Sequence, residues 1–152
     1  MNTRVDPQDR AEAAELLARY AEAIDAGDFE AIGALLARCT ITDAENRTIA
    51  TGSDEIAALY RSTTKRHADG MPLTAHIISN VIIERVDGNE LEMRSRFVVF
   101  QSTQTLPLQP IAVGRYVDRV ARDDGVPGWH FSRRAMIPEF WGTTVEHLTF
   151  EP

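Results

Sequence analysis

The chain has a single cysteine, Cys39, so it can form no internal disulfide, and no Cys/His cluster has the spacing of a zinc site. Long hydrophobic runs are missing too. The longest, such as Val81-Ile82-Ile83 and Phe97-Val98-Val99-Phe100, fall far short of a membrane span. Positive charge is scarce: 16 Lys and Arg stand against 23 Asp and Glu, a formal net charge of −7. That balance argues against nucleic acid or an anionic membrane as partner. The opening, Met1 to Arg10, is polar and carries Asp6 and Asp9, which is the pattern of neither a signal nor a transit peptide. Gly-rich phosphate loops and Ser-centred nucleophile elbows are also absent. The expectation is a cytoplasmic protein without metal or cofactor, whose open roles are small-molecule chemistry and assembly.

What is present fits one domain spanning residues 1–152, with a core at about 6–140 and a tail at 141–152. The composition, 43% hydrophobic and 26% charged, is that of an ordinary globular chain. The first third reads as helix. Asp6 caps, Pro7 suits the first helical position and Asp9 favours the dipole. Ala13, Leu17, Tyr20, Ala21 and Ile24 share one side, with Glu12, Glu15, Arg19 and Glu22 opposite. Gly27 stops this helix, and Asp28 caps a second carrying Ile32, Leu35 and Leu36. A third begins near Gly52-Ser53 and shows Ile56, Leu59 and Tyr60.

After Pro72 the period changes to extended. Strands are expected at about Leu73–Val86, Leu91–Phe100, Ile111–Arg122 and Trp129–Ile137, with a hairpin at Asp87-Gly88-Asn89 and a reversal at Asp123 to Gly128. Helices followed by consecutive strands give an α+β fold, an antiparallel sheet with helices packed on one face.

Four polar side chains fall on apolar faces. Asp25 borders the apolar face in the last helical turn, where the dipole and a hydrophobic neighbourhood raise a carboxyl's pKa and make it a base. The alternative is a rim aspartate bonded to an amide. His76 shares a strand face with Ile78, Asn80 and Ile82; it is a satisfied core histidine, or, beside a carboxylate, a base of fixed tautomer. Tyr20 sits centrally on the helix's apolar face with a hydroxyl that can reach a ligand or end at the core edge. Arg133 and Arg134 alternate, so one points inward, where it needs a counter-charge or an anionic ligand. Trp129 and Phe131 are expected to point with Arg133, and Met136 with Arg134. His67, His130 and His147 lack ligand-like spacing, and Tyr60 reads as packing for the third helix.

Together, Leu17 to Phe29, the strand with His76 and Asn80, Gly114-Arg115-Tyr116-Val117-Asp118, and Gly128 to Arg134 resemble SnoaL-like proteins of the nuclear transport factor two-like superfamily. The resemblance covers roughly Asp6 to Phe140. It implies a cone-shaped α+β barrel: a curved antiparallel sheet wrapped around three N-terminal helices, with a pocket at the open end. It implies catalytic roles for Asp25, His76, Tyr20 and Arg134, on the pattern of scytalone dehydratase, bile-acid dehydratase and hexachlorocyclohexane dehydrochlorinase. There an aspartate near the end of helix one holds a strand histidine that abstracts a proton. Tyr60, Phe97, Val99 and Met136 are the expected substrate-binding side chains. The chain departs from two of these relatives, with Tyr20 where the dehydrochlorinase has lysine, and Phe97 and Val99 where scytalone dehydratase has a second histidine. The implied activity is a cofactor-independent lyase or isomerase acting on a hydrophobic ring-containing molecule. Polyketide ring closure, or ligand binding without turnover, are the alternatives. The resemblance also implies a homo-oligomer, dimer or trimer, formed through the outward sheet face that carries Val98 and Phe100. The tail from Thr143 to Pro152, with Val145, Leu148 and Phe150, either covers the pocket mouth or reaches a neighbouring subunit.

Overall fold

Asp6 accepts a hydrogen bond from the Gln8 amide and Pro7 takes the first position of α1 (Pro7–Asp25) in the computed structural model, which describes residues 4–152. Ala13, Leu17, Tyr20 and Ile24 are buried, while Glu15 and Arg19 pair on the solvent side. Gly27, at φ 68°, ends the helix, and a side chain there would press on the Gly70 carbonyl. Asp28 then caps α2 (Phe29–Leu35) through the Ala31 amide. The short strands β1 (Thr40–Thr42) and β2 (Thr48–Thr51) lead into α3 (Gly52–Thr63). Four long strands follow: β3 (Thr74–Asp87), β4 (Glu90–Gln101), β5 (Gln109–Ala121) and β6 (His130–Trp141).

The sheet order is β2-β1-β6-β5-β4-β3, open at both edges, with the long strands antiparallel. One pair departs from the expected antiparallel sheet: β1 runs parallel to β6. β1 and β2 escaped the sequence reading because three or four residues are too few to display a period of two. Register shifts interrupt every long pair, and such bulges bend strands, which is how a sheet curves around helices. The last strand continues past Ile137 to Trp141, with Pro138 tolerated at the bulge opposite Gly114.

Bulges also invert two expected faces. At Asn80, with φ 54°, the β3 alternation slips, so Ile82 is exposed and Ile83 is buried. Near Ser132 a second slip turns Phe131 inward together with Arg134, not outward with Arg133.

Two aspartates pin α1 at its two ends. Asp9 accepts from Trp129 Nε1 at 3.1 Å, Arg85 at 2.9 Å and Arg122 at 3.0 Å, fixing the helix start to the turn end of the sheet. Burial works against its charge, yet these donors hold its pKa below the usual value. Asp25 fixes the other end. Between them the helix buries its apolar stripe, at about 1.5–3 kcal/mol for each large side chain removed from water.

Candidate active site

α1 ends on Asp25 where β3 begins, and the carboxylate closes the seam with three bonds. Oδ1 accepts from the His76 ring Nδ1 at 2.6 Å and from Thr74 Oγ1 at 2.9 Å, and Oδ2 accepts from the His76 main-chain N–H at 2.8 Å. The His76 side chain is 6% exposed and that of Asp25 25%. A carboxylate has only lone pairs to offer, so Nδ1 carries a proton, and in the neutral ring Nε2 keeps its lone pair. The expectation of a raised Asp25 pKa is corrected here. Burial does push the carboxyl up, but the bonds from His76 and Thr74 outweigh it and leave it below the ordinary value. Asp25 is therefore an anion whose oxygens are engaged by His76 and Thr74.

Beside this pair a cavity of about 410 Å³ opens between helices and sheet. Of the eight residues named from sequence, Tyr20, Tyr60, His76, Phe97, Val99 and Met136 line it. The other two, Asp25 and Arg134, stand behind the wall. Tyr20 and Tyr60 meet hydroxyl to hydroxyl at 2.8 Å, and the Tyr60 oxygen lies 3.9 Å from Met136 Sδ. Burial pushes the Tyr60 phenol well above its usual range, as it does Tyr116, so both stay protonated donors. Phe97 stacks on Tyr116 with ring centroids 4.6 Å apart, giving the chamber an aromatic wall.

An inward arginine was expected to need a counter-charge or an anionic ligand, and the structure supplies the counter-charge: Arg134 is fully buried, with Nε and Nη2 bonded to Asp118 at 2.8 and 2.9 Å. Its guanidinium lies 4.3 Å from the Tyr20 ring centroid, 4.0 Å from Tyr116 and 4.9 Å from Phe131. Burial opposes its charge, but Asp118 more than offsets this and raises its pKa. Asp118 is itself pushed up by burial, with Arg134 opposing. The arginine thus acts on Tyr20 and Tyr116 from beneath, through cation–π contacts. Asp118 went unnoticed in the sequence, although a signal existed. Tyr116, Asp118 and Val120 share an inward face, and a carboxylate there requires a cation.

The C-terminal segment completes the chamber, with Trp141, His147, Leu148 and Phe150 in its wall. The tail thus lines the chamber of its own chain. His147 is 8% exposed, and its ring lies 6.2 Å from that of His76. Burial, with His76 adding to it, pushes its pKa down to about 4, so the ring is neutral at pH 7. Nothing in the spacing of the sequence brings His147 to His76, because a tail of irregular backbone has no period to read.

Among the described residues no group of three or more His, Cys, Asp or Glu side chains is placed to hold a metal ion. Nor is any described helix long and apolar enough to cross a membrane.

The family model described as a SnoaL-like domain matches residues 6–135. No curated protein matches the chain. Among solved structures, a protein provisionally named scytalone dehydratase from Novosphingobium aromaticivorans DSM 12444 is 26% identical, covering 88% of this chain and 85% of its own, with a TM-score of 0.67. A Nostoc punctiforme PCC 73102 protein with a cystatin-like fold shares 21% identity over 90% of this chain and 95% of its own, TM-score 0.70. The protein LinA shares 18% over 88% of each chain, TM-score 0.66. The last two likenesses speak to fold alone.

Proposed function

The chain belongs to the SnoaL-like domain family, and from that premise we propose that it is a cofactor-independent lyase of the dehydratase type, acting on an apolar ring-containing molecule. One observation carries the reading: His76 lines the chamber while Asp25, bonded to its Nδ1 at 2.6 Å, does not. The lone pair on Nε2 is then the base available to a ligand, and Asp25 stabilises the imidazolium that forms. In the proposed step His76 takes a proton from an activated carbon. The C–H electron pair becomes the new double bond, a neighbouring C–O bond breaks, and the departing oxygen takes the proton from the imidazolium and leaves as water. The protein ends unchanged. The Tyr20–Tyr60 hydroxyl pair, with Arg134 beneath Tyr20, is the donor set for charge developing on a carbonyl oxygen. Proton abstraction is also the first step of isomerisation and of ring closure, so the base assigned here is common to all three.

A binder without turnover needs no carboxylate behind its histidine, and that feature supports catalysis over mere binding. The test is a panel of bicyclic β-hydroxy ketones incubated in deuterated buffer. Loss of the activated C–H is followed by proton NMR and the conjugated enone by absorbance. The wild type is expected to exchange and eliminate, and Asp25→Asn to do so about 100- to 10,000-fold more slowly. Equal rates in the two proteins would overturn the reading.

A further inference from the structure

His147 has no part in the step just described, yet the fold goes to some length to place it. The segment around it is held from three directions. The Lys65 amide donates to the His147 carbonyl at 2.7 Å, and the Thr149 amide to Thr63 at 3.0 Å, tying it to the end of α3. His67 Nε2 and Gln101 Nε2 both lie 3.0 Å from the Glu146 carbonyl, tying it to the β3 approach and the end of β4. Lys65 Nζ donates to the Val145 carbonyl at 2.7 Å. A segment bonded this densely is a fixed part of the wall. Against that, the ring it carries has an unsatisfied atom: Nδ1 of His147 is buried and has no hydrogen-bond partner. Buried polar atoms are almost always paired, so this orphan leaves the ring's hydrogen-bonding capacity unspent, and the ring itself lines the chamber 6.2 Å from that of His76.

We propose that His147 contacts the substrate, hydrogen-bonding an oxygen substituent on the ring molecule whose activated C–H faces His76. This rests on the reading of the chamber as a site of proton abstraction, and it narrows the ligand. The molecule must carry a hydroxyl or carbonyl oxygen close to the carbon that loses its proton, because the two ring centroids are only 6.2 Å apart. A buried neutral imidazole suits this work. It offers one donor and one acceptor, and unlike a charged group it costs little to keep in an apolar wall. The chamber therefore holds two imidazoles in different employment. His76, backed by Asp25, is the base. His147, with no carboxylate bonded to it, positions the oxygen.

Binding tests this without turnover, so its outcome is separate from that of the deuterium experiment. Naphthalene and 2-naphthol serve as probes, titrated into wild type, His147→Phe and His147→Gln, each checked for folding by circular dichroism. Ring ¹⁵N signals are recorded in the wild type. The expected result is that 2-naphthol shifts the His147 ring signals. It should also bind His147→Phe about tenfold more weakly than wild type, while naphthalene binds both alike. His147→Gln, which keeps a donor and an acceptor, should recover part of the loss. Unmoved His147 signals at saturation, equal 2-naphthol affinity in wild type and His147→Phe, or no binding of 2-naphthol to the wild type would each overturn the inference. If a variant does not fold, the wild-type ring signals decide alone.

Discussion

Asp25 grips His76 twice, by the ring Nδ1 at 2.6 Å and by the main-chain N–H at 2.8 Å. The second bond fixes where the strand starts relative to the helix end, and the first fixes the ring on that strand. Structure and chemistry share one carboxylate, so a variant must be judged by a readout that separates them.

Arg134 and Asp118 form a pair with both side chains at 0% exposure. Removing only the cation leaves an uncompensated buried carboxylate, so Arg134→Met should cost about 3–5 kcal/mol in urea unfolding. Arg134→Met combined with Asp118→Leu should regain most of that. A single variant as stable as wild type would show the pair to be unimportant to the fold.

Acid should loosen the tail before it reaches the rest of the protein. His147 titrates at about 4 when folded against 6.5 as a free side chain, so between those values the unfolded chain binds the extra proton. Stability therefore falls as pH drops through that window, by about 3 kcal/mol in total. Asp25, held below 3.8, adds its own loss only under that range. Urea titrations of wild type at pH 7.5 and 4.5 should differ, and those of His147→Phe should differ much less.

Gly114 has no room for a side chain. A Cβ there would sit against the Ile137 carbonyl and 2.6 Å from Phe97 Cζ. Since the carbonyl cannot yield cheaply, Gly114→Ala should push Phe97 toward the chamber and destabilise by about 1–3 kcal/mol. A melting curve together with 2-naphthol binding reads both effects, and an unchanged protein would contradict the packing described.

The helix limits were legible because caps and stops are local chemistry: Asp6, Gly27 and Asp28 act within a few residues of themselves. The long strands were legible by their alternation. Bulges were not, since the extra residue of a slip at Asn80 or Ser132 leaves no mark in composition, yet it reverses every side chain beyond it. That is why Ile82 and Phe131 were assigned to the wrong faces. Asp25 and His76 could be named singly from their positions, but only the fold brings residues 51 apart to 2.6 Å. Which of Arg133 and Arg134 turns inward, and whether a counter-charge or a ligand meets it, stayed open in the sequence, because the partner Asp118 lies on a different strand.

The most direct test of the account is the tautomer of His76, read from its ring ¹⁵N shifts in wild type and in Asp25→Asn, with the fold verified in both. The expected result is a wild-type ring protonated on Nδ1, with Nε2 carrying the lone pair in its neutral form, and a loss of that Nδ1–H population in Asp25→Asn. A wild-type ring protonated on Nε2, or ring signals indifferent to the substitution, would contradict the assignment of His76 as a base oriented by Asp25.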